Sequence, residues 1–225
     1  MANSNIILDY YDKLAKDYDN DRFGNSYGHY IHRQETALLV NLLKGLNGNI
    51  VDLGCGTGRL SSFATTGLDG SKEMLAVAKA KHPDKNFILA PLQQLPFDDN
   101  SVDVFYSFHV FMHLPAETTN AAFAEIARTL KPGGKLIFDF PSAKRRQLFS
   151  AGTNGWHGNT AYRIKELKDQ LQPAFDLKKY YGILFFPIQR LPGNMRKHCI
   201  GLDNLICRSF LKSYASYSVA VLTKK

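Results

Sequence analysis

The stretch Ile50-Val51-Asp52-Leu53-Gly54-Cys55-Gly56-Thr57-Gly58 constrains this chain more than any other. An apolar run, closed by an acid and three alternating glycines, reads as a buried strand that breaks into a tight loop. Glycine permits turns that side chains would block and lets the backbone approach a ligand closely. In open α/β sheets, ligands sit outside the carboxyl ends of strands, where such a loop lies. The surrounding pattern keeps the same alternation. Strands are predicted at 49–53, 65–69, 86–90, 102–108 and 135–140, with a short helical segment at 58–64 and helices at 71–82 and 116–130 between them. Ser71 is a plausible N-cap, and Lys131-Pro132-Gly133-Gly134 stops the last of these helices. Strands alternating with helices imply a mostly parallel sheet covered on both faces.

Upstream, Ile6, Tyr10, Leu14 and Tyr18 recur at helical spacing over 6–19, a polar loop is expected at 20–28, and a second helix covers 30–44. Together, residues 1–45 read as an N-terminal helical cap. Downstream, a helix is expected at 162–172 and strands at 175–181 and 217–223. The connection 182–215 is too long for a hairpin turn and reads as an insertion before the last strand, suited to cap a substrate pocket. Trp156, Phe185, Phe186, Pro187 and Arg190 are its candidate wall residues. The whole 225-residue chain reads as one domain.

Charge is divided unevenly. Residues 1–140 hold 13 Lys and Arg against 16 Asp and Glu, whereas 141–225 hold 15 against 4. A basic half attracts anionic substrates, acidic lipid or nucleic acid. No apolar run reaches the roughly 18 residues of a spanning helix, and the N-terminus lacks the pattern of a secretory signal, so a cytoplasmic protein is expected. Cys55, Cys199 and Cys207 lack paired metal spacing and are odd in number, which suits unpaired thiols in a reducing compartment. No metal site is expected.

A dinucleotide loop favours Gly-x-Gly-x-x-Gly, with amide groups facing a pyrophosphate. Here the third glycine comes one residue early, and Asp52 places a carboxylate just before the loop. That charge repels pyrophosphate and suits an ammonium group, such as the amino-acid end of S-adenosylmethionine. Asp69, closing the second strand in Gly-Leu-Asp-Gly-Ser, is placed to accept hydrogen bonds from ribose hydroxyls or to cap the next helix.

With these residues in view, the chain resembles the class I methyltransferases, within the broad group of menaquinone, ubiquinone and small-molecule methylases. The stretches that carry the resemblance are YYDKLAKDYD (10–19), VDLGCGTG (51–58), GLDGSKEMLAVAKAK (67–81), LQQLPFDDNSVDVFYSFHVFMHLP (92–115) and EIARTLKPGGKLIFDF (125–140). The resemblance implies a Rossmann-like, seven-stranded, mostly parallel sheet and S-adenosyl-L-methionine as cofactor, with S-adenosyl-L-homocysteine as product. It implies that Asp52 and the backbone of Gly54 and Cys55 hold the methionine end, while Gly56 and Gly58 shape the turn. Asp69 would bind ribose, Gly70 and Met74 border the nucleoside, and Leu92 and Gln93 meet adenine. Phe108 and His109 would follow the fourth strand beside the acceptor, and Tyr11 and Tyr18 would lie in a helix that closes over the cofactor. Two departures stand out: the segment from Gly58 to Asp69 is short, and Pro91 replaces an acid common near adenine.

Methyl transfer from a sulfonium needs alignment and exclusion of water, and a base when the acceptor carries a proton. His109, His113 and His29 are the candidate bases, and His32 shares the entry region with His29. A small organic acceptor with an anionic end is expected. A tRNA methyltransferase and a non-catalytic cofactor-binding protein are the alternatives, and the protein is expected as a monomer or homodimer.

Overall fold

A computed structural model of the chain describes residues 4–149 and 160–225, so Trp156 lies outside the described residues. The central element is a seven-stranded sheet with the order β3-β2-β1-β4-β5-β7-β6. The strands are β1 (Ile50–Leu53), β2 (Thr66–Asp69), β3 (Asn86–Leu89), β4 (Val102–Ser107), β5 (Leu130–Pro141), β6 (Phe175–Ile183) and β7 (Tyr217–Lys224). The first five pair in parallel, while β7 runs antiparallel to both β5 and β6. The expected mostly parallel sheet is thus present, with both departures from parallel pairing made by β7.

Side-chain alternation along the strands divides the core into two layers. Phe105 of β4 and Leu136, Phe138 and Phe140 of β5 face one layer, packed against α5 (Ala116–Thr129) through Phe123 and Ile126. Val104, Tyr106 and Ile137 face the other, against α3 (Ser26–Leu43) through Tyr30, Ile31, Leu38 and Leu39. Between β2 and β3 runs α4 (Lys72–Lys81), and Ser71 caps it by accepting a hydrogen bond from Met74 N at 3.1 Å.

Several boundaries differ from the sequence expectation, each for a local reason. The polar stretch 20–28 is not a loop. The N-terminal region is α1 (Ser4–Leu14) followed by α2 (Tyr18–Phe23), whose polar residues form a helix with nothing buried. α3 begins at Ser26 because the Asn25 side chain accepts hydrogen bonds from Tyr27 N and Gly28 N at 3.0 and 2.9 Å. The short helix expected at 58–64 shrinks to a single 3₁₀ turn, Ser61–Phe63. β5 starts at Leu130 rather than 135: the Pro-Gly-Gly segment stays in the strand, Gly133 takes φ +77°, and the pairing register with β4 shifts there.

The C-terminal part adds α6 (Ala143–Phe149), α7 (Ile164–Leu171) and α8 (Gly193–Ile206). The long connection between β6 and β7 packs on α3. Tyr30 donates to Asp203 Oδ2 at 2.8 Å, Gln34 donates to Asn204 Oδ1 at 2.8 Å, and Leu184 N donates to Gln34 Oε1 at 3.0 Å. No described helix is long and apolar enough to cross a membrane.

Candidate active site

The glycine loop sits at the carboxyl end of β1, held over β2 by Gly54 N and Cys55 N, which both donate to Leu68 O at 2.7 and 3.0 Å. Gly54, Gly56 and Gly58 all have positive φ. At Gly54 a Cβ would meet Val110 Cγ2 at 2.4 Å, so only glycine closes this turn. At Gly56 the nearest atom to a Cβ is Met74 Sδ at 4.0 Å, so the space there is cavity. Gly58 supports the loop from outside, with its carbonyl 2.8 Å from the His82 ring.

This loop borders a cavity of about 390 Å³, within the size range of small-ligand sites. Asp52, Gly54, Cys55, Gly56, Asp69, Gly70 and Met74 line its floor, and Leu92, Gln93, Phe108, His109 and His113 complete the wall. Tyr11 and Tyr18 close it from α1 and α2, with ring centroids 6.0 Å apart. Nearly all the cofactor residues expected from sequence therefore meet in one space. His29 does not: it is exposed on α3, away from the lining. His32 backs Arg59, whose Nη1 lies 3.1 Å from His32 Nδ1. Phe185, Phe186, Pro187 and Arg190 are also absent from the described lining, because their segment packs on α3.

Asp52 is buried and Asp69 half-buried, and neither has a cation in ion-pair reach among the described residues. Asp52 accepts from Ser61 Oγ at 2.8 Å, and burial pushes its carboxyl up to about 7, against the pull of that bond and of more distant Arg59. Asp69 accepts from Gly56 N and Ser71 N at 2.7 and 2.8 Å; burial raises its carboxyl too, although these amides oppose the shift. An ionised carboxylate has about four acceptor sites, so Asp69 retains capacity for further donors.

A second acidic group lies beside the first. Glu35 of α3, fully buried, meets Arg59 Nη1 at 2.6 Å and His109 Nε2 at 2.6 Å. Burial alone would raise Glu35, but the two cations outweigh it and hold the carboxyl at about 2. His109 has φ +61°, an unusual backbone state for a side chain with a Cβ. Asp139 of β5 holds it there by accepting from His109 N at 2.6 Å, and Asp139 Oδ2 lies 3.4 Å from His109 Nδ1. Burial disfavours the imidazolium, yet Glu35 and then Asp139 raise the His109 pKa overall. Burial also lifts Asp139, to about 6.

Sequence reading missed Arg59, Glu35 and Asp139. Their signals were present but faint: Arg59 directly follows the loop, Glu35 interrupts the apolar stripe Ile31-Leu38-Leu39, and Asp139 interrupts the buried strand Leu136–Phe140. Among the described residues no cluster of His, Cys, Asp or Glu is placed to hold a metal ion.

Known proteins resemble this chain in sequence and fold. The methyltransferase domain family matches residues 51–138, and an uncharacterized protein of Methanocaldococcus jannaschii is 31% identical over 97% of this chain and 90% of its own. The chain belongs to the class I S-adenosylmethionine-dependent methyltransferases. An uncharacterized methyltransferase of Bacillus cytotoxicus is 30% identical over 57% of this chain; the match spans 64% of that relative's length. The magnesium protoporphyrin IX methyltransferase of Synechocystis, solved with bound S-adenosylmethionine, superposes with a TM-score of 0.68 at 16% identity, covering 100% of this chain and 98% of that one. At that identity the likeness is one of fold. The residues present fit this methyltransferase cofactor. Buried Asp52 lacks a cation that an ammonium group supplies, Asp69 keeps free acceptor sites for hydroxyls, and the space beside Gly56 admits a ligand against bare backbone.

Proposed function

We propose that this methyltransferase transfers the methyl group of S-adenosylmethionine to a small organic acceptor with an anionic end. The observation that carries the reading is the shared cavity. Unpaired Asp52 and Asp69 lie on its floor, and Arg59, His109 and His113 supply cations or proton acceptors in its wall. The bound cofactor supplies an activated methyl group. The protein's part is alignment, desolvation and, for a protonated acceptor, removal of a proton.

In this reading Asp52 pairs with the ammonium group of the methionine end, and Asp69 accepts the ribose hydroxyls. The Leu92 backbone and Gln93 meet adenine, and Gly70 and Met74 border the nucleoside. Tyr11 and Tyr18 exclude water from above. His109 acts as a positioning residue and not as a base, because both ring nitrogens face carboxylates and the ring favours its protonated form. His113, in the lining with its ring 6.1 Å from that of Tyr11, is then the group nearest to take a proton from the acceptor.

Isotopically labelled cofactor, incubated with the purified protein and a panel of small organic acids and, separately, with tRNA, tests the proposal. Label in a small acid, lost in His113→Ala far more than in a cofactor-binding assay, is the expected result. Label entering only tRNA would overturn the acceptor class. Saturable cofactor binding with transfer to neither would point to a non-catalytic binding protein.

A further inference from the structure

We propose that the outer face of α8, together with Phe210 just beyond it, is a docking surface for an anionic lipid bilayer, on which the protein lies peripherally. The observation is a concentration of exposed apolar side chains where the chain has already buried the opposite face. Met195, Leu202 and Leu205 are 52%, 55% and 67% exposed, and Phe210 is 86% exposed. At 3.6 residues per turn the three helical positions fall within about 80° of arc. The other side of α8 is committed to the fold: Asp203 is fully buried under the Tyr30 hydroxyl, and Asn204 bonds Gln34. Half of the large apolar residues exposed among the described residues thus lie within one short segment. Scattered exposed apolar residues need no explanation, whereas a contiguous patch marks an interaction site.

Charge identifies the occupant. Residues 182–215 contain five Lys and Arg, and their only carboxylate is Asp203, which is buried. Lys197 and Arg208, both exposed, lie on one side of the apolar stripe, next to Leu205, with Arg208 just past the end of α8. A helix with an apolar face and a basic, acid-free border lies in the headgroup region of an anionic membrane, with apolar side chains at the acyl boundary and cations among the phosphates. A second copy of the chain would bring these like charges together. Nucleic acid would engage the cations but leave the four apolar side chains in water, since its backbone binds through charge. This proposal stands apart from the methyl-transfer reading and uses none of its residues.

Co-sedimentation of the full-length chain with vesicles tests it. One vesicle set is phosphatidylcholine alone, the other phosphatidylcholine mixed with phosphatidylglycerol. Binding to the anionic vesicles is expected, weakening as salt rises and weak or absent on phosphatidylcholine alone. The exposed pair Leu202→Glu with Leu205→Glu should reduce binding roughly tenfold or more, by removing the inserted apolar surface. Lys197→Gln with Arg208→Gln should reduce it less and flatten the salt dependence. Unchanged thermal unfolding would confirm that both variants fold. Failure of the native chain to bind anionic vesicles at low salt would overturn the proposal, as would full binding by the Leu202/Leu205 variant. So would a native dimer that this variant dissociates, or tRNA binding at lower protein concentration than vesicle binding.

Discussion

Two buried carboxylates stand in opposite electrostatic states: Asp52 lines the cavity, whereas Glu35 lies behind Arg59 and His109, which line it. Glu35 is clamped by Arg59 and His109 and held at about 2. Asp52, with no cation in ion-pair reach among the described residues, is pushed up to about 7 by burial. A buried carboxylate that the fold has paired is part of the framework; one left unpaired at a cavity floor is a receptor for a cationic ligand. On the proposed reading, Glu35 positions His109 and Asp52 receives the ammonium end of the cofactor.

The largest expected effect breaks the paired group. Glu35→Gln leaves Arg59 without its carboxylate and His109 with Asp139 alone, and breaking a buried pair costs about 3–5 kcal/mol. For a chain of this size that lowers the thermal midpoint by roughly 6–20 °C, measurable by circular dichroism. An unchanged midpoint would show that the pair contributes nothing to the framework. Asp52→Asn should do the opposite: ligand-free stability stays level or rises, because a costly buried acid is removed. Affinity for S-adenosylhomocysteine should fall roughly ten- to hundredfold with the loss of a charged hydrogen bond, as calorimetry would read.

Gly56→Ala sharpens the contrast from the backbone side. At φ +52° a Cβ costs about 1–2 kcal/mol, and here it also projects into the cavity. Ligand affinity should therefore drop by more than the change in unfolding free energy. The smallest effect per step is a pH dependence. Asp52 is raised in the folded state, so folding takes up a proton between its ordinary 3.8 and about 7, and that contribution to stability is lost as pH rises through 7. A bound ammonium group favours the ionised form, so binding releases this proton below pH 7. Affinity should weaken by about tenfold per pH unit as pH falls below 7, and the slope should vanish in Asp52→Asn.

The comparison also explains what the sequence made legible. The floor of the cavity comes from contiguous motifs: Asp52 precedes its loop, Asp69 closes the next strand, and Ser71 caps the helix after it. The strands 50–53 and 102–107 are legible as short, largely apolar runs because they are buried on both faces. Glu35, His109 and Asp139 come from α3, the loop after β4, and β5, so their meeting depends on packing that no local pattern encodes. α2 was illegible for another reason: it buries no residue fully, and its hold on the rest of the fold is mixed, with Phe23 packed against the α3 layer of the core beneath Arg59 and polar contacts beside it. Asp19 accepts a hydrogen bond from Thr57 Oγ1 at 2.6 Å and pairs with Lys81. The segment 182–215 reads from sequence as a substrate cap; it contains α8, and its inward face packs on α3.

The most direct test of the central claim is a calorimetric titration of the purified, ligand-free chain with S-adenosylhomocysteine at pH 8 and at pH 6. Saturable one-to-one binding, weaker at pH 6 and accompanied there by proton release, is the predicted result. No binding at either pH would contradict the assignment of this cavity, and equal affinity without proton release would contradict the role given to Asp52.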